Sequence, residues 1–259
     1  MTTPLPPSWL ACRLRRPEAP VRLFCFPHSG GSAGEYVRWA DALPDIEVWG
    51  VQLPGRGARA EETPFSRMRE LVDTLVAEVD FGTSFAFFGH SLGALVAFET
   101  ARRLRDLGRT PPDRLFLSAA PAPQLPPRGI PASHLDDDGL ITALAPTYGE
   151  LAVELREDAE LRELLLPGLR ADLAVVESYR HEPHAPLDCA MTVTGGTQDD
   201  LTREELEPWR VHTTGPFDFH LLPGGHFYLR EQKDSLLRLV AEALRQGRPH
   251  TVSRRDVKP

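Results

Sequence analysis

Apolar positions along this chain follow two alternating rhythms. Short, mostly apolar runs occur at Val21–Phe26, Glu47–Leu53, Ser84–Phe88 and Arg114–Ala119, with the length and composition of buried strands. Between them, apolar residues recur every three or four positions. Tyr36, Val37, Trp39, Ala40 and Leu43 form one stripe, and Met68, Leu71, Val72, Leu75, Val76 and Val79 another, as in helices that bury one face. A further helix is expected from Ala94 to Leu107, with Gly108 as its C-terminal cap. This alternation predicts an α/β fold: a mostly parallel sheet with helices on both faces.

The alternation stops after Ala119. Pro121, Pro123, Pro126, Pro127 and Pro131 crowd the next stretch, and from Leu135 to Tyr179 the spacing is helical. A helical insertion at about 121–180, lying over the sheet edge, is the expectation. Strand pattern resumes at Met191–Thr194 and Asp218–Leu222, and a last helix is expected at Asp234–Leu244. Residues 247–259 are polar and aperiodic, as in a flexible tail. The chain of 259 residues therefore reads as one domain with one insertion.

Composition narrows the function classes. Hydrophobic residues are 41% and charged residues 25%, the balance of a soluble globular protein. A net charge of −8 disfavours nucleic acid and anionic membrane surfaces as partners. No apolar run approaches the roughly 18 residues of a membrane span. Met1–Trp9 lacks the basic and apolar regions of a secretory signal. Cys12, Cys25 and Cys189 are odd in number and widely spaced, which suggests neither a disulfide framework nor a zinc site and points to the cytoplasm.

Candidate chemistry centres on Gly89-His90-Ser91-Leu92-Gly93, a G-x-S-x-G pentapeptide between an apolar strand and a helix. Such a turn presents the serine Oγ above the sheet, and its glycines avoid collisions with neighbouring backbone. Serine is a weak nucleophile and needs a base. His226, in the glycine-rich loop after the last strand, is positioned to be that base, whereas His220 lies within the strand and reads as structural. The orienting acid should follow the strand Met191–Thr194, as Asp199 or, as the alternative, Asp200. Donors for the oxyanion are expected from the backbone N–H of Leu92 and, in the loop Phe26–Gly31, of Ser29. That loop matches neither phosphate-binding glycine fingerprint.

Three other features have plainer readings. His181-Glu182-Pro183-His184 reads as a solvated turn, because Pro183 breaks the helix that a metal pair would need. Asp136-Asp137-Asp138 reads as a helix cap. Arg102, Arg103, Arg105 and Arg109 read as a solvated face that could dock an acidic partner.

Phe26-Pro27-His28-Ser29-Gly30-Gly31-Ser32-Ala33, Gln52-Leu53-Pro54-Gly55-Arg56-Gly57, Phe88–Ala94 and Pro223-Gly224-Gly225-His226-Phe227 together resemble the type II thioesterases. These are the free-standing editing enzymes of polyketide and nonribosomal peptide synthases. The resemblance covers about residues 20–245. It implies an α/β-hydrolase with a helical lid, needing no cofactor or metal. It also implies a partner, an acyl or peptidyl carrier protein bearing an acyl-phosphopantetheine arm. Nucleophile, acid and base carry over to Ser91, Asp199 and His226. From the residues alone, the Pro-Gly-Arg-Gly stretch reads only as a turn. A carboxylesterase acting on free esters and a non-catalytic carrier-binding module are the competing readings.

Overall fold

Strands form where the apolar runs lie. The computed structural model describes residues 9–126 and 131–246. The expected tail at 247–259, residues 1–8 of the N-terminal segment read above, and 127–130 within the expected insertion lie outside the described residues. The strands are β1 (Leu10–Ala11), β2 (Arg22–Phe26), β3 (Glu47–Val51), β4 (Phe85–His90), β5 (Arg114–Ser118), β6 (Ala190–Gly196) and β7 (Phe217–Leu222). They pair in the order β1-β3-β2-β4-β5-β6-β7. Every pairing is parallel except that of β1 with β3. The α/β-hydrolase class expected from the sequence is therefore the fold found. β1 was not anticipated: two residues carry no periodicity.

The helices are α1 (Ala33–Val37), α2 (Met68–Glu78), α3 (Leu92–Asp106), α4 (Asp137–Glu157), α5 (Ala159–Ser178), α6 (Arg203–Leu206), α7 (Tyr228–Glu231) and α8 (Lys233–Gln246). The predicted stripe of α2 is buried, from Met68 through Val76. The stretch expected to be one helix from Tyr36 is a single turn followed by a 3₁₀ segment, Arg38–Asp41. Gly108 ends α3 at φ +63°, a conformation that favours glycine.

Phenylalanines of β2 and β4 fill the central core. Phe26 and Phe87 meet at 5.0 Å between ring centroids, and Phe24 meets Phe81 edge-on at 4.9 Å. Such side chains each contribute about 1.5–3 kcal/mol by leaving water. The helical pair α4–α5, between β5 and β6, has a separate core that includes Leu140, Ile141, Leu155, Leu166 and Leu169. Asp136 caps α4, its carboxylate accepting the Gly139 N–H at 2.8 Å.

Register aligns the strand ends. Phe26 pairs with Gly89, His90 with Ser118, Ser118 with Thr194, and Gly196 with Leu222. The loops after β2, β4, β6 and β7 therefore open on one edge of the sheet. Chain order reverses between β2 and β4. Open α/β sheets bind ligands at such a crevice, beyond the carboxyl ends of the strands.

Candidate active site

Ser91 joins β4 directly to α3 and takes φ 56°, ψ −120°. This backbone conformation costs about 1–3 kcal/mol for a residue with a side chain. Its N–H is held by the Ser118 carbonyl at 2.8 Å. The flanking glycines make the turn possible. A Cβ on Gly89 would lie 2.1 Å from the Gly93 carbonyl oxygen, and one on Gly93 would lie 2.1 Å from that of Phe26. Both contacts are with backbone that cannot rotate aside. Gly93→Ala is therefore expected to destabilise the fold by at least about 4 kcal/mol, read as a shifted urea midpoint or loss of soluble protein; an unchanged midpoint would contradict this packing.

The loops after β6 and β7 lie against each other. Gln198 N–H donates to the Gly224 carbonyl at 2.9 Å, and Thr197 N–H to that of Leu222 at 2.8 Å. A Cβ on Gly196 would meet the Gly225 carbonyl oxygen at 2.3 Å. This contact brings Asp199 and His226 together, with Oδ2 and Nδ1 at 2.9 Å. Of the two candidate acids, Asp199 bonds the imidazole; Asp200 is exposed. The Asp199 side chain is 6% exposed and that of His226 16%, a sheltered pair with Nε2 as the ring's remaining nitrogen.

The Ser91 hydroxyl does not cap its own helix. Among the described residues the His226 ring is hydrogen-bonded to Asp199 alone. His90, which precedes Ser91, has its ring centroid 5.2 Å from that of His226. Catalytic hydrogen bonds are often long before substrate binds. The N–H groups of Ser29 and Leu92 make no backbone hydrogen bond among the described residues. Leu92 is the first residue of α3, where an N–H has no helical acceptor.

Two further imidazoles sit beneath. His28 packs edge-on against Phe227 at 4.9 Å and against His90 at 5.8 Å. Burial pushes His28 down to about 3, and burial holds His90 well below the usual histidine range. Both are neutral at pH 7. His90 Nδ1 bonds Ser118 Oγ at 2.8 Å, Ser118 Oγ bonds the Tyr228 hydroxyl at 2.7 Å, and Tyr228 donates to Thr194 Oγ1 at 2.6 Å. This chain ties the ends of β4, β5 and β6 to the His226 loop. His220 lies exposed on the edge strand.

Arg56 is not a solvent-facing turn residue. Its guanidinium and the Asp172 carboxylate form a buried, two-pronged pair. Sequence reasoning missed Asp172. Its signal was a carboxylate on the buried stripe Leu166-Leu169-Asp172-Val175 of α5, where an acid needs a partner.

The arginines of α3 and the loop after it are largely committed. Arg102 pairs with Glu99 and donates to the Glu182 carbonyl, Arg103 pairs with Asp73, and Arg109 donates to the Val76 and Val79 carbonyls. The stretch read as a solvated face is thus in part a set of braces, with Arg102 buried. His181 packs on His212 at 4.9 Å between ring centroids. Among the described residues no group of three or more His, Cys, Asp or Glu could hold a metal ion, and no helix is long and apolar enough to cross a membrane.

Residues 21–244 match the family model described as Thioesterase domain. The chain is 40% identical to Linear gramicidin dehydrogenase LgrE of Brevibacillus parabrevis, over 92% of this chain and 93% of that protein. It is 38% identical to Thioesterase PikA5 of Streptomyces venezuelae, over 88% of this chain and 82% of that protein. Among solved structures, the type II thioesterase BorB from the borrelidin biosynthetic cluster superposes with a TM-score of 0.83 at 37% identity, over 93% of this chain and all of that one.

Proposed function

Because this chain belongs to the thioesterase family, we propose that Ser91, His226 and Asp199 are its catalytic triad. The substrate we assign is a stalled or aberrant acyl group on the phosphopantetheine arm of an acyl or peptidyl carrier protein, in polyketide or nonribosomal peptide synthesis. The 2.9 Å bond between Asp199 and His226, on the sheet edge where the Ser91 turn opens, carries this reading. It is supported by two solved relatives named as type II thioesterases, BorB and, from the yersiniabactin NRPS/PKS biosynthetic pathway, YbtT. The redox term in the LgrE name is not carried over, because the glycine loop after β2 lacks the dinucleotide fingerprint.

The chemistry runs in two halves. Ser91 Oγ attacks the thioester carbonyl while His226 Nε2 takes its proton. Asp199 holds the imidazole by Nδ1 and stabilises the imidazolium. The negative charge on the carbonyl oxygen rests on the Ser29 and Leu92 amides, each worth about 10²–10³ in kcat. Collapse breaks the carbon–sulfur bond, and His226 gives its proton to the departing thiolate. Water then attacks the acyl-serine, losing a proton to His226, and the free acid leaves as Ser91 recovers its own. Neutral His28 and His90 place no competing positive charge beside the imidazolium. In this reading the α4–α5 insertion is a lid on a single α/β-hydrolase domain, gating entry of the long arm.

The test compares hydrolysis of one acyl group carried on phosphopantetheinylated carrier protein and as a simple ethyl ester. A kcat/KM at least about 100-fold higher for the carrier thioester is expected. A preference for the free ester would make the protein a carboxylesterase.

A further inference from the structure

One peptide unit beside the proposed oxyanion hole is gripped at both ends by the helical insertion. The peptide joins Ser29 to Gly30. Its carbonyl accepts the Tyr148 hydroxyl of α4 at 3.1 Å. Its N–H donates to Asp172 Oδ2 of α5 at 2.8 Å. Arg56 completes the clamp from the turn after β3, donating from Nη1 to Oδ2 and from Nη2 to Oδ1 of Asp172, both at 2.6 Å. Arg56 Nη1 also reaches the Gly31 carbonyl at 3.3 Å. The orientation of the Ser29 N–H, one residue back along the chain, then depends only on the φ and ψ of Ser29.

The packing of α5 makes this grip possible. A Cβ on Gly168 would lie 2.9 Å from the Gly55 carbonyl oxygen, so the helix touches the turn there. Asp172 is one helical turn further on the same face and meets Arg56. Leu169, between them, lies against Gly30, where a Cβ would be 3.2 Å from Leu169 Cδ1. Asp172 is 3% exposed and Arg56 6%. A buried ion pair is a poor way to gain stability, since apolar side chains of similar volume often do as well. It is a good way to fix a direction, because a guanidinium fork and a carboxylate match in one plane.

We infer that Asp172, Arg56 and Tyr148 are positioning residues for the oxyanion hole, so that the aim of the Ser29 amide depends on how the insertion is seated. The inference rests on the reading of Ser29 N–H as an oxyanion donor. With the insertion docked, the donor is aimed and the site is competent. With it lifted, the Ser29–Gly30 peptide loses both partners and the donor loses its direction. Entry of the pantetheine arm and assembly of the catalytic site would then be two ends of one movement.

The test uses the full chain with Asp172→Asn, Arg56→Lys and Tyr148→Phe. Each is assayed for kcat and KM on an acyl-carrier thioester and for inhibition by an alkyl boronic acid. The trigonal boronic acid accepts Ser91 Oγ, whose proton passes to His226, and becomes a tetrahedral anion, so its affinity reports the aim of the oxyanion donors. Asp172→Asn and Arg56→Lys are expected to lower kcat by about 10- to 100-fold with KM within about twofold. The boronate inhibition constant should rise by a similar factor. Partial unfolding lowers the apparent kcat but leaves the boronate constant of the folded fraction unchanged. Tyr148→Phe, which removes one neutral hydrogen bond, should show the same pattern at roughly fivefold and decides the matter if the charged variants do not fold. Unchanged boronate affinity in the folded variants, or a loss confined to KM, overturns the inference. Ser91→Ala run in parallel separates the two claims. If it retains wild-type turnover, the proposed mechanism itself fails; if it is inactive while the clamp variants hold boronate normally, only the clamp fails.

Discussion

Replacing Ser91 by alanine is expected to lower kcat on a carrier-bound acyl thioester by about 10⁴–10⁶-fold while carrier binding persists. The size follows from what is lost. Without Oγ there is no acyl-serine, so His226 can only activate water at a carbonyl still held by the oxyanion donors, and these alone retain a minor share of the acceleration. The fold should survive, because alanine keeps the Cβ that already sits at φ 56° and Ser91 Oγ makes no capping bond. Single-turnover hydrolysis and a carrier-binding titration on the same preparation give both halves of the result. Normal turnover would remove Ser91 from the mechanism, and lost binding would mean that the substitution had disturbed more than the hydroxyl.

Asp199→Asn is expected to cost about 10⁴-fold in kcat, whereas Asp200→Asn should change it by no more than about twofold. The asparagine side chain fits the same space, so the 2.9 Å contact to Nδ1 can persist. Its NH₂ can donate to Nδ1 and so favour the tautomer with a proton on Nε2, the atom that must accept one from Ser91. It also carries no charge to stabilise the imidazolium. The exposed Asp200 makes neither contribution in the proposed mechanism. Steady-state kinetics on the two variants decide between neighbouring carboxylates that sequence alone left open. A large loss with Asp200→Asn and a small one with Asp199→Asn would reverse the assignment.

Local patterns in the chain carried most of the fold. The apolar runs Val21–Phe26, Ser84–Phe88 and Arg114–Ala119, read as buried strands, fall on β2, β4 and β5, and the stripe Met68–Val79 falls on α2. That an acid of the loop after β6 would meet His226 was legible, because strand order fixes which loops share an edge and the glycines at 196 and 224–225 allow those loops to touch; which of Asp199 and Asp200 it would be was not. The role of Arg56 was not legible. Its partner lies 116 residues away, and nothing in a Pro-Gly-Arg-Gly turn reveals that its side chain points inward. The bracing by Arg102, Arg105 and Arg109 was not legible for the same reason, since their acceptors include backbone carbonyls of distant segments, which leave no trace in the residue pattern. β1 escaped because two residues paired antiparallel to β3 are held by backbone bonds rather than by a hydrophobic face.

The α4–α5 pair keeps its own apolar centre, apart from the one beneath the sheet. In the proposed reading such a segment can move without dissolving its own interior, but the movement must break the buried Arg56–Asp172 pair and draw Val175 of α5 out of the main core. Its interior can also be rewritten by evolution as long as the residues that touch the Ser29–Gly30 peptide stay in place. If the pair is the proposed lid, the shape of the acyl pocket can change by exchanging one hairpin, provided that the replacement keeps an acid where Asp172 stands and a hydroxyl where Tyr148 does.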